Sequence, residues 1–382
     1  MTVYWHRCTT GLLLTLTLCL SACAAPTAAP APTVAPPTST PKATQGHLLA
    51  QAVDGPDPAR LVFSRVGPLD APSAAGHSQA TVRLSNTGTA PLVISALPLT
   101  GAWALNSGVS LPLVLAPGAS VGVSLTFTAD FPLTTPVQLL TGSLDVVSDD
   151  PAGTQTITLA GVWQSYPEHD PAGGYSEPVL ELIKQAFGYT TVLSTSADAA
   201  RPTNRNDGSD VPINQRGWVH AQGEEVLAAY WQRADSSQPV QVEELASYER
   251  QGTVATLAWY PRGSRTLTGI ITHAGLDSQT ILPRQEGDLH QLAQGTFRTE
   301  GVFGFNATAF VSEWSDPSMN AQAADQANGC PGPCGQHLRF WPVRTSQGVQ
   351  ANTYLLAVDY NSINDDYQDD LYLIRNVQPV TP

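Results

Sequence analysis

Short stretches in which apolar and polar residues alternate constrain this chain more than any other feature of its sequence. Residues 80–84 read Ala-Thr-Val-Arg-Leu, and residues 121–127 place Val, Val, Leu and Phe at every second position. Successive side chains of a β-strand point to opposite faces, so this period of two indicates strands with one buried face. Turn sequences lie close to these stretches, as at residues 86–88 (Asn-Thr-Gly) and 116–118 (Ala-Pro-Gly). The pattern predicts an all-β protein.

The number of strands and turns predicts the architecture of residues 46–164. The chain contains 31 Gly and 31 Pro, and only 13% of its residues are charged, which favours strands and turns over long helices. About seven short alternating runs fall within these residues, the number typical of an immunoglobulin-like sandwich. We therefore expect this segment to be an immunoglobulin-like domain.

Four blocks of this first domain also resemble a known family. They are SNTGTAPLVIS (85–95), LAPGASVGVSLTF (115–127), TGSLDVVSDDP (141–151) and TITLAGVW (156–163). In this order they resemble the bacterial choice-of-anchor D domain, which belongs to the hydin-related immunoglobulin-like superfamily. The resemblance implies a structural or interaction module of surface proteins and brings no catalytic residues with it.

Residues 165–382 are expected to form a larger second domain. Apolar residues at helical spacing predict one short helix between Ser176 and Gly188, and about eight strand-like runs follow it. This content predicts a jelly-roll-like β-sandwich. The blocks SEPVLELIKQAFGY, LAWYPRG, HLRFWPV and DYNSINDDYQDDLYLI resemble, in outline, a C-terminal β-sandwich module of bacterial surface proteins, for which no activity is implied.

The first 45 residues predict export and attachment to lipid. Residues 1–23 contain a short apolar run and end in Leu-Ser-Ala-Cys, which resembles the bacterial lipobox with Cys23 as the lipidated residue. The alternative is an ordinary signal peptide in which Cys23 is incidental. Residues 24–45 are rich in Pro, Ala and Thr and are expected to be an extended tether. We expect a protein anchored by lipid in the cell envelope, and Ala24 resembles a signal for the outer membrane or cell surface.

Two cysteines remain after the signal segment, at Cys330 and Cys334 in the sequence Cys-Pro-Gly-Pro-Cys. In an oxidising compartment this spacing predicts a disulfide that closes a small loop. The alternative is a redox-active or metal-binding pair, for which only His337 lies near in the sequence. We expect the disulfide.

An acidic segment near the C-terminus is a candidate Ca²⁺ site. Carboxylate and amide oxygens are the ligands that Ca²⁺ prefers, although the segment does not fit the EF-hand template. The alternative is a solvated turn held by Asx hydrogen bonds. The candidate ligands are Asp359, Asn361, Asn364, Asp365, Asp366, Asp369 and Asp370.

Aromatic residues are the candidates for a ligand-binding surface. Tyr260 and Trp314 are each followed by turn residues, and exposed rings of this kind can stack on sugars. The alternative places them in the hydrophobic core, where tryptophans of sandwiches usually lie.

Charge and the distribution of carboxylates limit the function. The net charge of −14 disfavours nucleic-acid binding, because an acidic surface repels phosphates. Glycoside hydrolysis needs two carboxylates that face one bond, but the pairs Glu224-Glu225 and Glu243-Glu244 are adjacent and would point to opposite faces of a strand. The sequence favours a non-catalytic binding or scaffolding protein with envelope glycans or surface proteins as partners. The alternative is a surface polysaccharide hydrolase built on carboxylates from distant segments.

Overall fold

A computed structural model describes residues 44–69, 76–106, 108–167, 177–194, 203–204, 219–327, 329–361 and 366–380. The predicted signal, Cys23 and most of the tether lie outside these residues, and so do Asn364 and Asp365 of the candidate Ca²⁺ site. Residues 44–382 form one compact unit. Within the described ranges, no helix combines the length and apolar character that a membrane crossing requires.

The first part of the compact unit is a β-sandwich, as the alternation predicts. Its strands are β1 (Leu48–Ala52), β2 (Arg60–Val66), β3 (Gln79–Asn86), β4 (Leu92–Ala96), β5 (Leu99–Thr100), β6 (Trp103–Leu105), β7 (Leu113–Leu115), β8 (Ser120–Phe127), β9 (Gln138–Ser148) and β10 (Gln155–Gln164). One sheet has the order β1-β3-β8-β6, and the other has the order β2-β10-β9-β4-β7 with β5 on β9. The expected immunoglobulin-like sandwich is confirmed.

The alternating apolar residues form the core between these two sheets. The rings of Phe63, Trp103 and Phe127 pack together there, with centroids 5.3–6.2 Å apart. The indole N–H of Trp163 donates to the carbonyl of Gly67 at 2.9 Å, which satisfies its one polar atom inside the core. Strand β2 pairs in parallel with β10, whereas β1 pairs with β3 in the opposite sheet. The N-terminal segment therefore contributes a strand to each sheet.

The second part is a larger sandwich with little helix. Its elements are β11 (Glu177–Pro178), α1 (Leu180–Ala186), β12 (Thr203–Asn204), β13 (Trp231–Arg233), β14 (Val240–Tyr248), β15 (Thr256–Pro261), β16 (Thr268–Thr272), β17 (Gln279–Ile281), β18 (Arg284–Gln285), β19 (Asp288–Leu292), β20 (Gln294–Phe297), β21 (Phe303–Thr308), β22 (Ser312–Trp314), α2 (Ala323–Ala327), β23 (Leu338–Thr345), β24 (Gly348–Val358), β25 (Asp370–Arg375) and β26 (Val377–Pro379). The fold class is confirmed, with one addition: the single turn α2 accompanies the predicted helix α1.

Two sheets face each other in this second sandwich. The first has the order β16-β15-β21-β13-β26 with β22 on β21, and the second has the order β17-β14-β25-β24-β23 with β20 on β14. Alternate residues of the second sheet, among them Val242, Leu356 and Ile374, point into the space between the sheets. Their neighbours Leu245, Leu355 and Leu373 point outward and are also buried. The second sheet is therefore covered on both faces.

The helix α1 and the first sandwich together cover that outer face. Leu182, Ile183 and Ala186 form the buried side of α1, and Gly188 (φ +76°) ends the helix in the left-handed conformation that favours glycine. These residues belong to one hydrophobic cluster with Val62 of β2 and Val162 of β10. The two sandwiches consequently share a core rather than being joined only by a linker.

Polar contacts reinforce this shared core. The hydroxyls of Ser64 and Thr280 lie 2.6 Å apart across the junction, and the Gln164 amide donates to Oε1 of Gln279 at 3.0 Å. Both pairs join the first sandwich to β17, and all four residues are buried. The junction is thus fixed in position by hydrogen bonds as well as by apolar packing.

Candidate functional site

Four ionisable side chains meet inside the second sandwich, at the end where several strands terminate. Glu244 lies on β14, Glu249 directly follows β14, His273 follows β16, and Asp370 begins β25. We call these four residues the His273 cluster. Nδ1 of His273 lies 2.8 Å from Oε1 of Glu244 and 3.8 Å from Oδ1 of Asp370. Its Nε2 lies 3.1 Å from Oε1 of Glu249, so carboxylates flank both ring nitrogens.

Burial dominates the electrostatics of the His273 cluster, because His273 and Asp370 are 0% exposed and both glutamates are 1% exposed. Desolvation raises the pKa of Glu244 to about 8, and it raises the pKa of Glu249 to about 8 as well. Desolvation lowers the pKa of His273, but the carboxylates of Glu244, Glu249 and Asp370 together outweigh it and raise that pKa well above its usual value. The cluster therefore retains protons that exposed carboxyl groups would release.

Two tyrosines complete the surroundings of Asp370. The Tyr360 hydroxyl donates to Oδ2 of Asp370 at 2.7 Å. The Tyr372 hydroxyl interacts with Asp370 as well, although it does not meet hydrogen-bond geometry. Burial and the neighbouring carboxyl groups raise the pKa of both tyrosines, so both hydroxyls stay protonated at physiological pH.

A second buried histidine lies at the same end of the sandwich. Nδ1 of His337 lies 2.6 Å from Oε2 of Glu313, and its Nε2 lies 3.3 Å from Oδ2 of Asp325 in α2. We call these three residues the His337 cluster. Desolvation lowers the pKa of His337, but the hydrogen bonds to Asp325 and Glu313 outweigh it and raise the pKa to about 10. An imidazolium between two carboxylates is the expected state, which makes this cluster a buried ion-pair network.

The described ends of the acidic segment lie next to these two clusters. Asp359 and Asp366 are buried, and the Asp366 amide donates to Oδ2 of Asp359 at 3.0 Å. The Tyr360 amide donates to Oδ2 of Asp369 at 2.6 Å, while Asn361 is exposed. Among the described residues, Asp370 converges on Glu244 and His273 rather than on the other acidic residues of the segment. The Ca²⁺ site stays a prediction, because Asn364 and Asp365 lie outside the described residues.

The predicted disulfide is confirmed. Cys330 and Cys334 are joined, with their Cα atoms 6.2 Å apart, and both are buried. The Cys330 amide donates to the carbonyl of Asp325 at 2.9 Å, and the Gly335 amide donates to the Asp325 carboxylate at 2.5 Å. The bridge thus anchors the loop that carries Asp325 and His337, and the alternative of a metal-binding pair with His337 is wrong.

The expectation of exposed rings at Tyr260 and Trp314 is wrong. Tyr260 is 0% exposed and Trp314 is 8% exposed. The two rings pack edge to face against each other with centroids 4.8 Å apart, and the Arg265 guanidinium covers Trp314 at 5.5 Å. Their faces are therefore occupied by protein, and a sugar cannot stack on them. The turn that follows Tyr260 lies at the surface, whereas Ser315, which follows Trp314, is itself buried, and the strands direct both rings inward.

The two adjacent glutamate pairs are split, as predicted for β14. Glu243 pairs with Arg375 at 2.7 Å, whereas Glu244 points into the His273 cluster. In the other pair, Glu224 contacts Arg344, while Glu225 lies buried against Arg339 at 2.7 Å. Neither pair places two carboxylates on one accessible bond.

One pocket, which we call the junction pocket, lies where the two sandwiches meet. It has a volume of about 480 Å³ and is lined by Asp57 and Arg60 from the first sandwich and by Tyr189, Gln350 and Arg375 from the second. Phe187 stacks on Tyr189 with centroids 6.0 Å apart. Guanidinium and amide donors next to an aromatic residue are groups that suit a hydroxyl-rich ligand.

The His273 cluster was not found from the sequence, where the histidines appear scattered. One signal was available in residues 240–244, which read Val-Gln-Val-Glu-Glu: the two inward apolar residues Val240 and Val242 are followed by Glu244 on the same face of the strand. A charged residue at an inward position predicts a buried partner. The pattern does not reveal that His273 and Asp370 supply it.

Comparison with known proteins adds little. No protein-family model and no curated protein matches the chain. The Vibrio cholerae VesB protease is 14% identical over 31% of this chain, with a TM-score of 0.21, and the chain spans only 32% of that structure. The YadV chaperone is 10% identical with a TM-score of 0.21, over 68% of this chain and 92% of that one. The Salmonella enterica SafA pilin–SafB chaperone complex is 11% identical with a TM-score of 0.22, over 70% and 92%. Similarity at this level carries no argument about function.

Proposed function

We propose that this chain is a non-catalytic binding or scaffolding protein of the bacterial cell envelope, anchored by lipid at Cys23. The observation that carries the proposal is the core shared by Val62, Val162, Ile183 and Leu245, which makes the two sandwiches one body. Such a body presents its loops and its junction in a fixed relative arrangement, which is what a binding or scaffolding protein requires.

The burial of the candidate acid–base groups supports a non-catalytic role. A general acid or base must come within hydrogen-bond reach of the substrate. His273 is 0% exposed and His337 is 1% exposed, and each is enclosed by carboxylates of its own cluster. Their perturbed pKa values are explained by structural ion pairing, which also shifts pKa values without catalysis.

The anchor rests on sequence. The Leu-Ser-Ala-Cys motif at residues 20–23 follows an apolar run, and the resemblance of residues 85–163 to the choice-of-anchor D domain points to the same location at the surface. Each buried methylene of an acyl chain contributes about 0.8 kcal/mol, so several chains hold the protein durably. The tether of residues 24–45 would separate the folded body from the membrane.

The junction pocket is the proposed place of binding. A glycan would contact Arg60 of the first sandwich and Tyr189, Gln350 and Arg375 of the second. Because the shared core already holds the two sides of the pocket in place, binding there would not cost the entropy of ordering one sandwich against the other. A surface protein would be the other class of partner.

Lipid attachment is tested by supplying an azide-bearing palmitate to growing cells that express the full chain. We expect the wild-type protein to be labelled and to remain with the membrane fraction, and we expect Cys23→Ala to lose both properties. Cys19→Ala is the matched control, because Cys19 lies in the same predicted signal segment and should not be acylated. Equal labelling of the Cys23→Ala protein would refute the anchor.

Binding and catalysis are tested together on purified full-length protein. A glycan array identifies bound sugars, and release of reducing ends from bacterial polysaccharides reports hydrolysis. We expect binding without hydrolysis, and we expect Gln350→Ala to weaken binding, while Gln241→Ala on the exposed side of β14 leaves it unchanged. Hydrolysis would establish the alternative enzyme, and binding that ignores Gln350→Ala would place the ligand elsewhere.

A further inference from the structure

We propose that Glu244, His273 and Asp370 form a buried binding site for one divalent transition-metal ion of the Zn²⁺ or Mn²⁺ type. This inference does not depend on the proposed envelope function. It rests on the convergence of the three side chains, on the orientation of the imidazole, and on carboxylate oxygens that lack a donor.

Convergence is the first argument. One ligand atom from each of Glu244, His273 and Asp370 lies within 4.8 Å of the other two. Bonds of about 2.0–2.2 Å from an ion to nitrogen and oxygen place its ligand atoms roughly 3 to 4.4 Å apart. The distances of 2.8 Å and 3.8 Å from Nδ1 of His273 to the two carboxylates are close to this range. Small side-chain rotations would let all three groups bind one ion.

The orientation of His273 is the second argument. Its Nε2 lies 3.1 Å from Oε1 of Glu249 and 3.3 Å from the carbonyl of Thr253. Metal-binding histidines almost always direct their second ring nitrogen to a carboxylate or a carbonyl, which fixes the ring and increases its basicity. Glu249 would therefore position the imidazole, with Nδ1 directed between Glu244 and Asp370.

Carboxylate oxygens without a donor are the third argument. Among the described residues, no donor meets hydrogen-bond geometry at Oε2 of Glu244 or at Oδ1 of Asp370, although Glu244 is 1% exposed and Asp370 is 0% exposed. A buried polar atom without a partner costs about 1–3 kcal/mol, and more if it is charged. To bind an ion through Nδ1, His273 must be a neutral imidazole, so the cluster with its three carboxylates ionised would have a net charge of −3. A divalent cation would offset two of those charges and would give both oxygens a partner, and the protons that leave the cluster on binding would go to solvent.

The ligand set indicates the class of ion. Imidazole nitrogen is a good ligand for Zn²⁺ and other transition metals, and carboxylate oxygen suits Mn²⁺ and Zn²⁺ as well. Ca²⁺ takes six to eight oxygen ligands, which this enclosed group of three side chains does not offer. The site therefore differs from the Ca²⁺ site predicted in the acidic segment, although Asp370 belongs to both sets.

The test measures metal content and thermal stability of the full-length chain, purified in detergent without chelators. Elemental analysis should find about one transition-metal ion per chain. Stripping with EDTA should lower the melting temperature, and addition of Zn²⁺ or Mn²⁺, but not Ca²⁺, should restore it. Glu244→Gln should remove the bound ion, and Glu249→Gln should weaken its affinity about 10- to 100-fold, the effect of losing a group that holds a metal ligand.

Two matched variants control this test. Asp325→Asn removes a buried carboxylate from the His337 cluster, and His290→Gln changes an exposed histidine; both should keep the ion. If Glu244→Gln does not fold, Co²⁺ titrated into the stripped wild-type protein should give visible absorption bands of nitrogen- and oxygen-bound cobalt. The proposal is overturned if the wild-type protein carries no ion and none of these metals raises its melting temperature or gives the cobalt bands. It is overturned equally if folded Glu244→Gln binds the ion as tightly as the wild-type protein.

Discussion

Replacing Ile183 by alanine tests whether the two sandwiches are one cooperative body. Ile183 lies on the buried side of α1, is 0% exposed, and belongs to the cluster that also contains Val62 and Val162 of the first sandwich. The substitution leaves the backbone and the charges unchanged. It removes apolar atoms from the place where the two sandwiches meet.

The expected loss of stability follows from burial. Three carbon atoms leave the core, at about 0.8 kcal/mol each, and the residual cavity adds to this cost. The better helix propensity of alanine returns a few tenths of a kcal/mol. We therefore expect the free energy of unfolding to fall by about 3 kcal/mol, a large share of the roughly 5–15 kcal/mol that stabilises a typical domain.

Urea titration measures the size of this loss, and native-state hydrogen exchange shows where it occurs. Amides of β10 in the first sandwich and β24 in the second should lose protection together, because both strands pack on the shared core. Leu276→Ala is the control: Leu276 is 61% exposed, so the loss should stay below about 0.5 kcal/mol. Two results would refute the shared core as the element that joins the sandwiches: a fall in the free energy of unfolding of less than about 1 kcal/mol for Ile183→Ala, or a loss of amide protection in only one sandwich.

Three further predictions concern the second sandwich. Because the pKa of His337 is raised from 6.5 to about 10, the protonated histidine stabilises the fold fully below about pH 6.5, and this contribution of at most about 5 kcal/mol disappears as the pH rises towards 10. Urea titrations across this range should show the free energy of unfolding decline. A His337→Gln protein whose free energy of unfolding falls equally steeply with pH would contradict this explanation. Cys330→Ser should lower the free energy of unfolding by at most about 2 kcal/mol because the closed loop is short. A variant that is already unfolded without urea would show that the bridge does more than close the loop. Gly304→Ala should lower the free energy of unfolding by about 1–3 kcal/mol, because the added methyl group would overlap the Tyr260 ring. Gly301→Ala, which has open space, should leave the melting temperature unchanged, and an equal loss in both variants would rule out the overlap as the cause.

Local patterns carried most of the fold prediction. The alternation in β3 and β8 predicted which residues form the core of the first sandwich, and both strands show it in their burial. The apolar side of α1 and its end at Gly188 also follow from the sequence, although Ser176, the expected N-terminal limit of the helix, lies outside the described residues. In β10 the buried run of residues 159–163 breaks the alternation, which indicates a strand covered on both faces. That signal does not say which element covers the second face.

The candidate site depended on contacts between distant segments. Tyr260 lies near the end of β15 before a turn, and the packing of the Trp314 and Tyr230 rings against it, which the sequence does not show, buries its ring. The composition of the acidic segment predicts a Ca²⁺ site, which stays a prediction, but it does not show that Asp370 faces Glu244.

The sequence by itself determined the strands, the turns, the class of fold and the disulfide, because each depends on backbone geometry or on residues close together in the chain. The tertiary structure alone decided that the sandwiches share a core and that Glu244, His273 and Asp370 meet. The physical reason is that strand order brings these residues together, and strand order depends on which buried faces fit each other across the whole chain. A period of two records the direction of a side chain, but it does not record what that side chain meets.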